Sequence, residues 1–290
     1  MFGSPISRRS FLQASGVAAA GLLAPNALRA AEEDGDLGHG ISLGVQSYTF
    51  RNFDLEPALK RIKELGIKNA EFYSKHIPPD AASDKLTAIL SLCKEYDVKP
   101  VGFGVSGFSK NHDANKKLFE FGAKCGLKYL SASPSMDAFD SLDKLVDEYK
   151  IAIAIHPHGP SGKGRDQWWS AEIIYKAVKD HHKLIGSCLD TGHLIRMAQL
   201  GEKLDPAEQV KVMGDRNFGM HLKDHDNKVK EDVVFGDPKG VLDIAAVLKA
   251  LREVKFKGAV SIEYEAHPQD PSPDMKKCVA YTRETAKKSN

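Results

Sequence analysis

Eight short apolar runs, each followed by a segment of helical periodicity, limit what this chain can fold into. The runs read as strands over Ile41–Phe50, Asn69–Tyr73, Val98–Val105, Tyr129–Ser133, Ile151–His156, Leu184–Asp190, Phe218–Leu222 and Ala259–Glu263. Asp54-Leu55-Glu56-Pro57 can cap a helix that places Leu59, Ile62 and Leu65 on one face before Gly66 stops it. Leu86, Ile89, Leu90 and Cys93 repeat the stripe, as do Leu118, Phe121 and Cys125, and Leu142, Leu145 and Val146. The most regular stretch is Val241–Val254, with Leu242, Ala245, Leu248 and Leu251 aligned. Strands this apolar are buried on both faces, as in a parallel sheet covered by helices. Eight strand–helix units in about 250 residues is the count of a single (β/α)8 TIM barrel, here expected over residues 41–290. A doubly wound open sheet uses fewer strands and a glycine-rich phosphate turn after the first. Gln46-Ser47-Tyr48-Thr49 contains no such turn.

Residues 1–31 stand apart. Ser7-Arg8-Arg9-Ser10-Phe11-Leu12-Gln13 matches the twin-arginine export signature, followed by a mildly apolar stretch over 14–24 and a small-residue exit near 27–31. The stretch is too short and too rich in glycine and alanine to span a bilayer, so the expectation is a signal peptide, a periplasmic mature protein and no stable membrane insertion after processing. Residues 32–40 read as a flexible, acidic lead-in. Removing the signal takes Arg8, Arg9 and Arg29 and no acid, which leaves 38 basic against 39 acidic residues. No basic patch with interleaved aromatics remains, which argues against nucleic acid as a partner. Cys93, Cys125, Cys188 and Cys278 are widely spaced with no CxxC, and read as buried thiols rather than a disulfide framework.

Four of the strand runs end on metal-ligand residues. Ile151–Ile155 leads into His156-Pro157-His158, and Leu184–Leu189 into Asp190-Thr191-Gly192-His193. Phe218-Gly219-Met220 leads into His221-Leu222-Lys223-Asp224, and Ala259–Ile262 into Glu263-Tyr264-Glu265. These are the C-terminal strand ends, where barrel enzymes carry their chemistry. Residues two apart share a strand face, so Ala152, Ala154, His156 and His158 group together, as do Gly219, His221 and Lys223, and Ser261, Glu263 and Glu265. His156, Asp190, His221 and Glu263 are thereby expected to converge. Two imidazoles and two carboxylates suit one divalent transition-metal ion, Mn2+, Co2+, Zn2+, Fe2+ or Ni2+, better than Ca2+ or Mg2+.

In this order and spacing, Asp-Thr-Gly-His at 190–193, His-Leu-Lys-Asp at 221–224 and Ser-Ile-Glu-Tyr-Glu at 261–265 resemble the xylose isomerase-like barrel superfamily. That group includes the sugar phosphate isomerase/epimerase family and the endonuclease IV class. The resemblance implies the metal set His156, Asp190, His221 and Glu263, with His193 on a substrate hydroxyl and Glu71 at another mouth position used for sugar hydroxyls. It departs at His156, where the isomerases and epimerases usually carry a glutamate that moves the substrate's proton. A histidine bound to metal has no lone pair left to act as a base. The proton-transfer role then falls to Glu263, Glu265 or His158.

The ligand set implies chemistry on a keto-sugar through an enediolate, and two further substrate contacts are expected beside it. Lys223 could hold an oxyanion or reach solvent, and Trp168 or Trp169 could stack on a sugar ring or pack internally. Reprotonation on a neighbouring carbon isomerises, reprotonation on the other face epimerises, and loss of a β-substituent cleaves a 3-keto-glycoside. The expected function is therefore a metal-dependent isomerase or epimerase of an unphosphorylated sugar, since sugar phosphates are mainly cytoplasmic and Gly236–Gly240 offers one lysine only. The alternatives are a keto-glycoside lyase or hydrolase on the same site and a metal-free sugar-binding module. A three-zinc nuclease would require more ligands and a basic face.

Overall fold

The computed structural model describes residues 37–289. The signal peptide expected at 1–31 lies outside the described residues, as does most of the lead-in. Eight parallel strands close into a barrel. They are β1 (Ser42–Gln46), β2 (Asn69–Phe72), β3 (Lys99–Phe108), β4 (Tyr129–Pro134), β5 (Ala152–Ile155), β6 (Ile185–Asp190), β7 (Asn217–Leu222) and, after a two-stranded insertion, β10 (Ala259–Ile262). The ring runs β1-β10-β7-β6-β5-β4-β3-β2, so first and last strands pair, with Gly44 opposite Ser261. This is the (β/α)8 barrel that the alternation of runs predicts. No helix among the described residues is long and apolar enough to cross a membrane.

Helices α1 (Leu55–Glu64), α2 (Ser83–Glu95), α3 (His112–Cys125), α4 (Phe139–Tyr149) and α5 (Ala171–Val178) follow the first five strands. Two short helices, α6 (Thr191–Arg196) and α7 (Pro206–Met213), follow β6, and α8 (Ile244–Glu253) and α9 (Ser272–Lys288) complete the ring. Local chemistry sets their ends. Asn111 caps α3 by accepting from the Ala114 amide at 3.1 Å, and Gly126 ends it at φ +69°, a left-handed turn that glycine adopts without strain.

The strand alternation divides the core into two shells. Ile153 and Ile155 of β5 point outward into the large apolar layer that α1–α5 and α8 cover, with Leu59, Ile62, Phe119, Leu142 and Leu248 fully buried there. Each such side chain contributes about 1.5–3 kcal/mol of transfer free energy. Ala152 and Ala154 point inward, where with Cys188 they surround the Tyr129 ring. A Cβ on Gly102 would lie 2.4 Å from Tyr129, and one on Gly219 would lie 2.8 Å from both Tyr129 and Cys188. Glycine at these two strand positions is what lets one tyrosine fill the barrel's axis.

Several local expectations require correction. The first strand ends at Gln46, because Ser47–Phe50 form a 3-10 turn whose first amide bond is taken by the Gln46 side chain. The lead-in is packed from Leu37 onward: that side chain is buried, and its carbonyl accepts from Arg252 at 3.1 Å. Helix α8 starts at Ile244 because Asp243 caps it, so its buried face is Ile244, Val247, Leu248 and Leu251, and Leu242 precedes the helix. A hairpin of β8 (Asp224–Asp226) and β9 (Glu231–Val233), which no apolar alternation in the sequence marks, follows β7. Asp224 anchors it, accepting from the amides of Val241 at 2.9 Å and Leu242 at 3.0 Å. All four cysteines are free and buried.

Candidate active site

The ends of β5, β6, β7 and β10 bring His156, Asp190, His221 and Glu263 together, with one ligand atom from each within 4.8 Å of the others. His156 Nε2 lies 3.1 Å from His221 Nδ1 and 3.5 Å from Asp190 Oδ2, and His221 Nδ1 is 3.2 Å from Glu263 Oε2. All four are buried.

Two of the four ligands, Asp190 and His221, are aimed by a hydrogen bond on the other side. Asp190 is the N-cap of α6, where Oδ1 accepts from the His193 amide at 2.8 Å. Its Oδ2 is buried and accepts no hydrogen bond. His221 donates Nε2–H to Glu71 Oε2 at 2.9 Å, which orients the ring and turns Nδ1 toward the cluster. Glu71 also accepts from Gln46 at 2.8 Å and from the Tyr129 hydroxyl at 2.7 Å. Burial alone would raise its pKa, but the charge on His221 and these bonds lower it. Glu71 is thus no sugar-facing mouth residue: it is fully buried beneath His221, with both oxygens engaged. Glu71, Cys188 and His221 form a second close group of potential ligands, in which hydrogen bonds already occupy Glu71.

The two loop motifs interlock. Thr191 accepts from the Lys223 amide at 2.8 Å and donates to the Lys223 carbonyl at 2.7 Å, which clamps the end of β6 to the end of β7. Gly192 allows the Lys223 stem to pass, since a Cβ there would lie 2.6–2.8 Å from its carbons. Lys223 is buried, with its ammonium 3.4 Å from Asp190 Oδ2, 3.1 Å from Glu263 Oε2 and hydrogen-bonded to Glu265. It therefore does not reach solvent. Burial would depress its pKa, but these three carboxylates raise it well above the usual lysine value. Reciprocally, the Lys223 ammonium outweighs burial at Asp190 and holds it ionised.

His158 and His193 flank His156, with ring centroids 4.9 and 5.2 Å away, and the three form another close group of nitrogen ligands. Burial pushes His158 down to about 4, and it pushes His193 well below the ordinary value, so both rings are neutral near pH 7. His193 Nδ1 accepts from the Gly159 amide at 2.8 Å. Glu265, one-third exposed, is the outermost carboxylate.

A cleft of about 560 Å³ opens over this cluster. His156, His158, His193, His221, Glu263 and Glu265 form its charged side. Tyr48, Tyr73, Phe103 and Val105 form the other. Tyr48 and Tyr73 pack edge to face at 5.2 Å. Trp168 does not contribute. It is 1% exposed, donates Nε1–H to the Pro134 carbonyl at 2.9 Å and packs edge-on against Phe139, beneath the loop after β5. Trp169 is half-buried, with the Arg165 guanidinium 5.2 Å from its ring. Sequence reasoning missed the aromatic wall because β1, β2 and β3 end in no polar cluster. The alternation Gln46-Ser47-Tyr48 was the available signal.

The family profile described as "Xylose isomerase-like TIM barrel" matches residues 59–285, and the profile for the twin-arginine translocation pathway signal sequence matches residues 5–25. Among characterised proteins, an inosose isomerase from Bacillus velezensis is 23% identical over 248 residues, which cover 75% of this chain and 86% of that protein. A solved structure of an uncharacterised protein from Parabacteroides distasonis superposes with TM-score 0.64 at 26% identity, covering 83% of this chain and 98% of that one. The 3-keto-D-glucoside 4-epimerase of E. coli superposes with TM-score 0.62 at 17% identity, covering 84% and 99%. At that identity the likeness to the epimerase is one of fold.

Proposed function

The chain belongs to the xylose isomerase-like TIM barrel family, and from that premise we propose that it is an exported, divalent-metal-dependent isomerase or epimerase of an unphosphorylated keto-sugar, working through an enediolate. Residues 1–31 would direct it to the periplasm, and the barrel from 41 to 290 would act there. The observation that carries this reading is the buried cluster of His156, Asp190, His221 and Glu263 under an open cleft.

The cluster fits a metal ion by its own chemistry. Asp190 Oδ2 is a buried anionic oxygen with no hydrogen bond, and His221 Nδ1 is presented by the bond from its other nitrogen to Glu71. Three carboxylates, Asp190, Glu263 and Glu265, face one ammonium, Lys223, so a buried divalent cation would reduce a net negative charge. His156, Asp190, His221 and Glu263 would hold the ion, which when bound supplies Lewis-acid polarisation of a sugar carbonyl. Glu263 and Glu265 would then exchange a proton with the carbon beside that carbonyl, and Lys223 keeps Glu263 ionised between turnovers. His193, neutral and accepting at Nδ1, carries its proton on Nε2 and would donate to a substrate hydroxyl. The aromatic wall would take the apolar face of the ring.

One feature favours a second reading. With His156 in the metal set, the carboxylates placed to move a proton, Glu263 and Glu265, both follow β10, and the β5 end offers only the neutral His158. One-sided proton abstraction suits loss of a β-substituent, which would make the protein a 3-keto-glycoside lyase. One experiment separates these activities. Metal-loaded protein is incubated in D2O with D-fructose, an inosose and a 3-ketoglucoside, and followed by NMR. Deuterium uptake with a rearranged sugar supports the isomerase or epimerase, whereas uptake with released aglycone supports the lyase. Sugar binding without exchange on any of the three would leave a binding module and end the enolisation reading.

A further inference from the structure

Beside the main cleft lies a second cavity of about 360 Å³, which shares His158, His193 and Arg196 with it. Its walls come from the loop after β5, from α6 and from the β8–β9 hairpin, which contributes His225 and Lys230. Three nitrogen atoms of these lining residues are buried with no hydrogen-bond partner among the described residues: His158 Nδ1, Arg196 Nε and His225 Nε2. His225 is only 2% exposed, and its Nδ1 is already engaged by Asp232 Oδ1 at 3.1 Å, which leaves Nε2 as the available ring atom. Arg196 lies against the His193 ring and pairs with no carboxylate among the described residues. Lys230, exposed at the hairpin turn, also pairs with none. The acid of this wall is Asp166, which is 3.9 Å from His158 Nδ1 and accepts from the Trp168 amide at 2.9 Å.

Arg196 Nε is a buried donor without an acceptor, which is rare in folded proteins and is commonly satisfied by a ligand or ordered water. A guanidinium and an ammonium, both free of counter-ions and facing one polar chamber, select for an oxyanion. We propose that this chamber is an anion subsite of the sugar cleft, which receives an oxyanion carried by the substrate. A carboxylate on an acidic sugar and a phosphate ester share that chemistry. The shared wall of His158, His193 and Arg196 places the anion on the ring beyond the reacting carbons. The proposal rests on the reading that the neighbouring cleft holds a sugar.

Isothermal titration of the metal-loaded protein with D-glucuronate, D-glucose 6-phosphate and D-glucose at matched ionic strength tests it. At least one anionic sugar is expected to bind about tenfold more tightly than glucose, with that preference lost in Arg196→Gln. Lys230→Gln, at an exposed turn where folding is not at stake, should reduce the preference by a smaller factor. Preference for glucuronate identifies a carboxylate subsite, and preference for the phosphate identifies a phosphate subsite. Equal binding of all three sugars, no binding of either anion, or a preference unchanged in both variants overturns the proposal. Deuterium exchange is read separately. Anion preference without exchange keeps the subsite and removes the enolisation reading, whereas exchange without anion preference does the reverse.

Discussion

The halves of the barrel present opposite walls to one cleft. Strands β5, β6, β7 and β10 end in His156, Asp190, His221 and Glu263, with Lys223 and Glu265 just beyond. Strands β1–β3 and the turns after them end in Tyr48, Tyr73, Phe103 and Val105, which carry no charge at neutral pH. The uncharged half nevertheless orients the charged one. Tyr129, seated on the barrel axis against two glycines, donates to Glu71, and Glu71 holds His221. Reactive groups are thus gathered on one wall, and their orientation is built from the other side of the barrel.

If the charged wall carries the chemistry, the sharpest test is Glu263→Gln, which removes a proton acceptor and keeps the shape. Turnover in the NMR assay should fall by about a thousandfold, and elemental analysis should still find some metal. Full activity would place the base elsewhere. The neutral half should contribute to a different observable, the stability at low pH. His76, in the loop after β2, is buried, with Nε2 3.1 Å from the Phe53 carbonyl, and burial lowers its pKa to about 4. The unfolded chain has the ordinary value of about 6.5, so it binds more protons than the folded state between the two. Stability from this site is complete above pH 6.5 and falls as pH drops towards 4, by about 3 kcal/mol in all. Urea unfolding of wild type and His76→Phe at pH 7 and pH 4.5 reads it, and the variant should lose less stability on acidification. The buried His158 and His193 add slopes of the same sign, which is why the variant is compared with wild type rather than with a flat line.

The charged wall was legible in the sequence because ligand residues at strand ends are local: each follows its own apolar run, and period two puts it on the inner face. The family resemblance rests on the same segments. Orientation was not legible in that way. Glu71 sits near the C-terminal end of β2, as a mouth residue would, and only its contacts with Gln46, Tyr129 and His221, from three other strands, assign it a supporting place. Trp168 precedes a helix in the loop after β5, where an exposed stacking ring and a buried anchor have the same local sequence. The Pro134 carbonyl that takes its N–H lies 34 residues earlier. The β8–β9 hairpin was hidden because Asp224–Val233 is polar and short, and Asp224 holds it through amides 17 and 18 residues later.

The supporting chain can be broken without touching the charged wall. Tyr129→Phe keeps the ring that fills the axis and removes only the hydroxyl bonded to Glu71. Metal affinity, measured by competition with a chelator, should fall by about tenfold with little change in melting temperature, the behaviour of an outer partner that orients a ligand. An unchanged affinity would mean that Gln46 alone fixes Glu71, and that the two halves are coupled less tightly than the hydrogen bonds imply.

The smallest effects separate the wall that meets substrate from the residue that merely resembles it. Tyr48→Ala removes an exposed ring and its edge contact with Tyr73, worth about 1 kcal/mol, so KM should rise about fivefold while kcat holds. Trp168→Phe should leave KM alone and lower the melting temperature by about 2–4 °C, because it costs one buried hydrogen bond, about 1 kcal/mol, in a domain of this size. The reverse pattern, a KM effect at Trp168 and none at Tyr48, would move the sugar to the β5–β6 side of the cleft. There it would lie over the chamber of Arg196 and His225, and its anionic group rather than its ring face would dominate recognition.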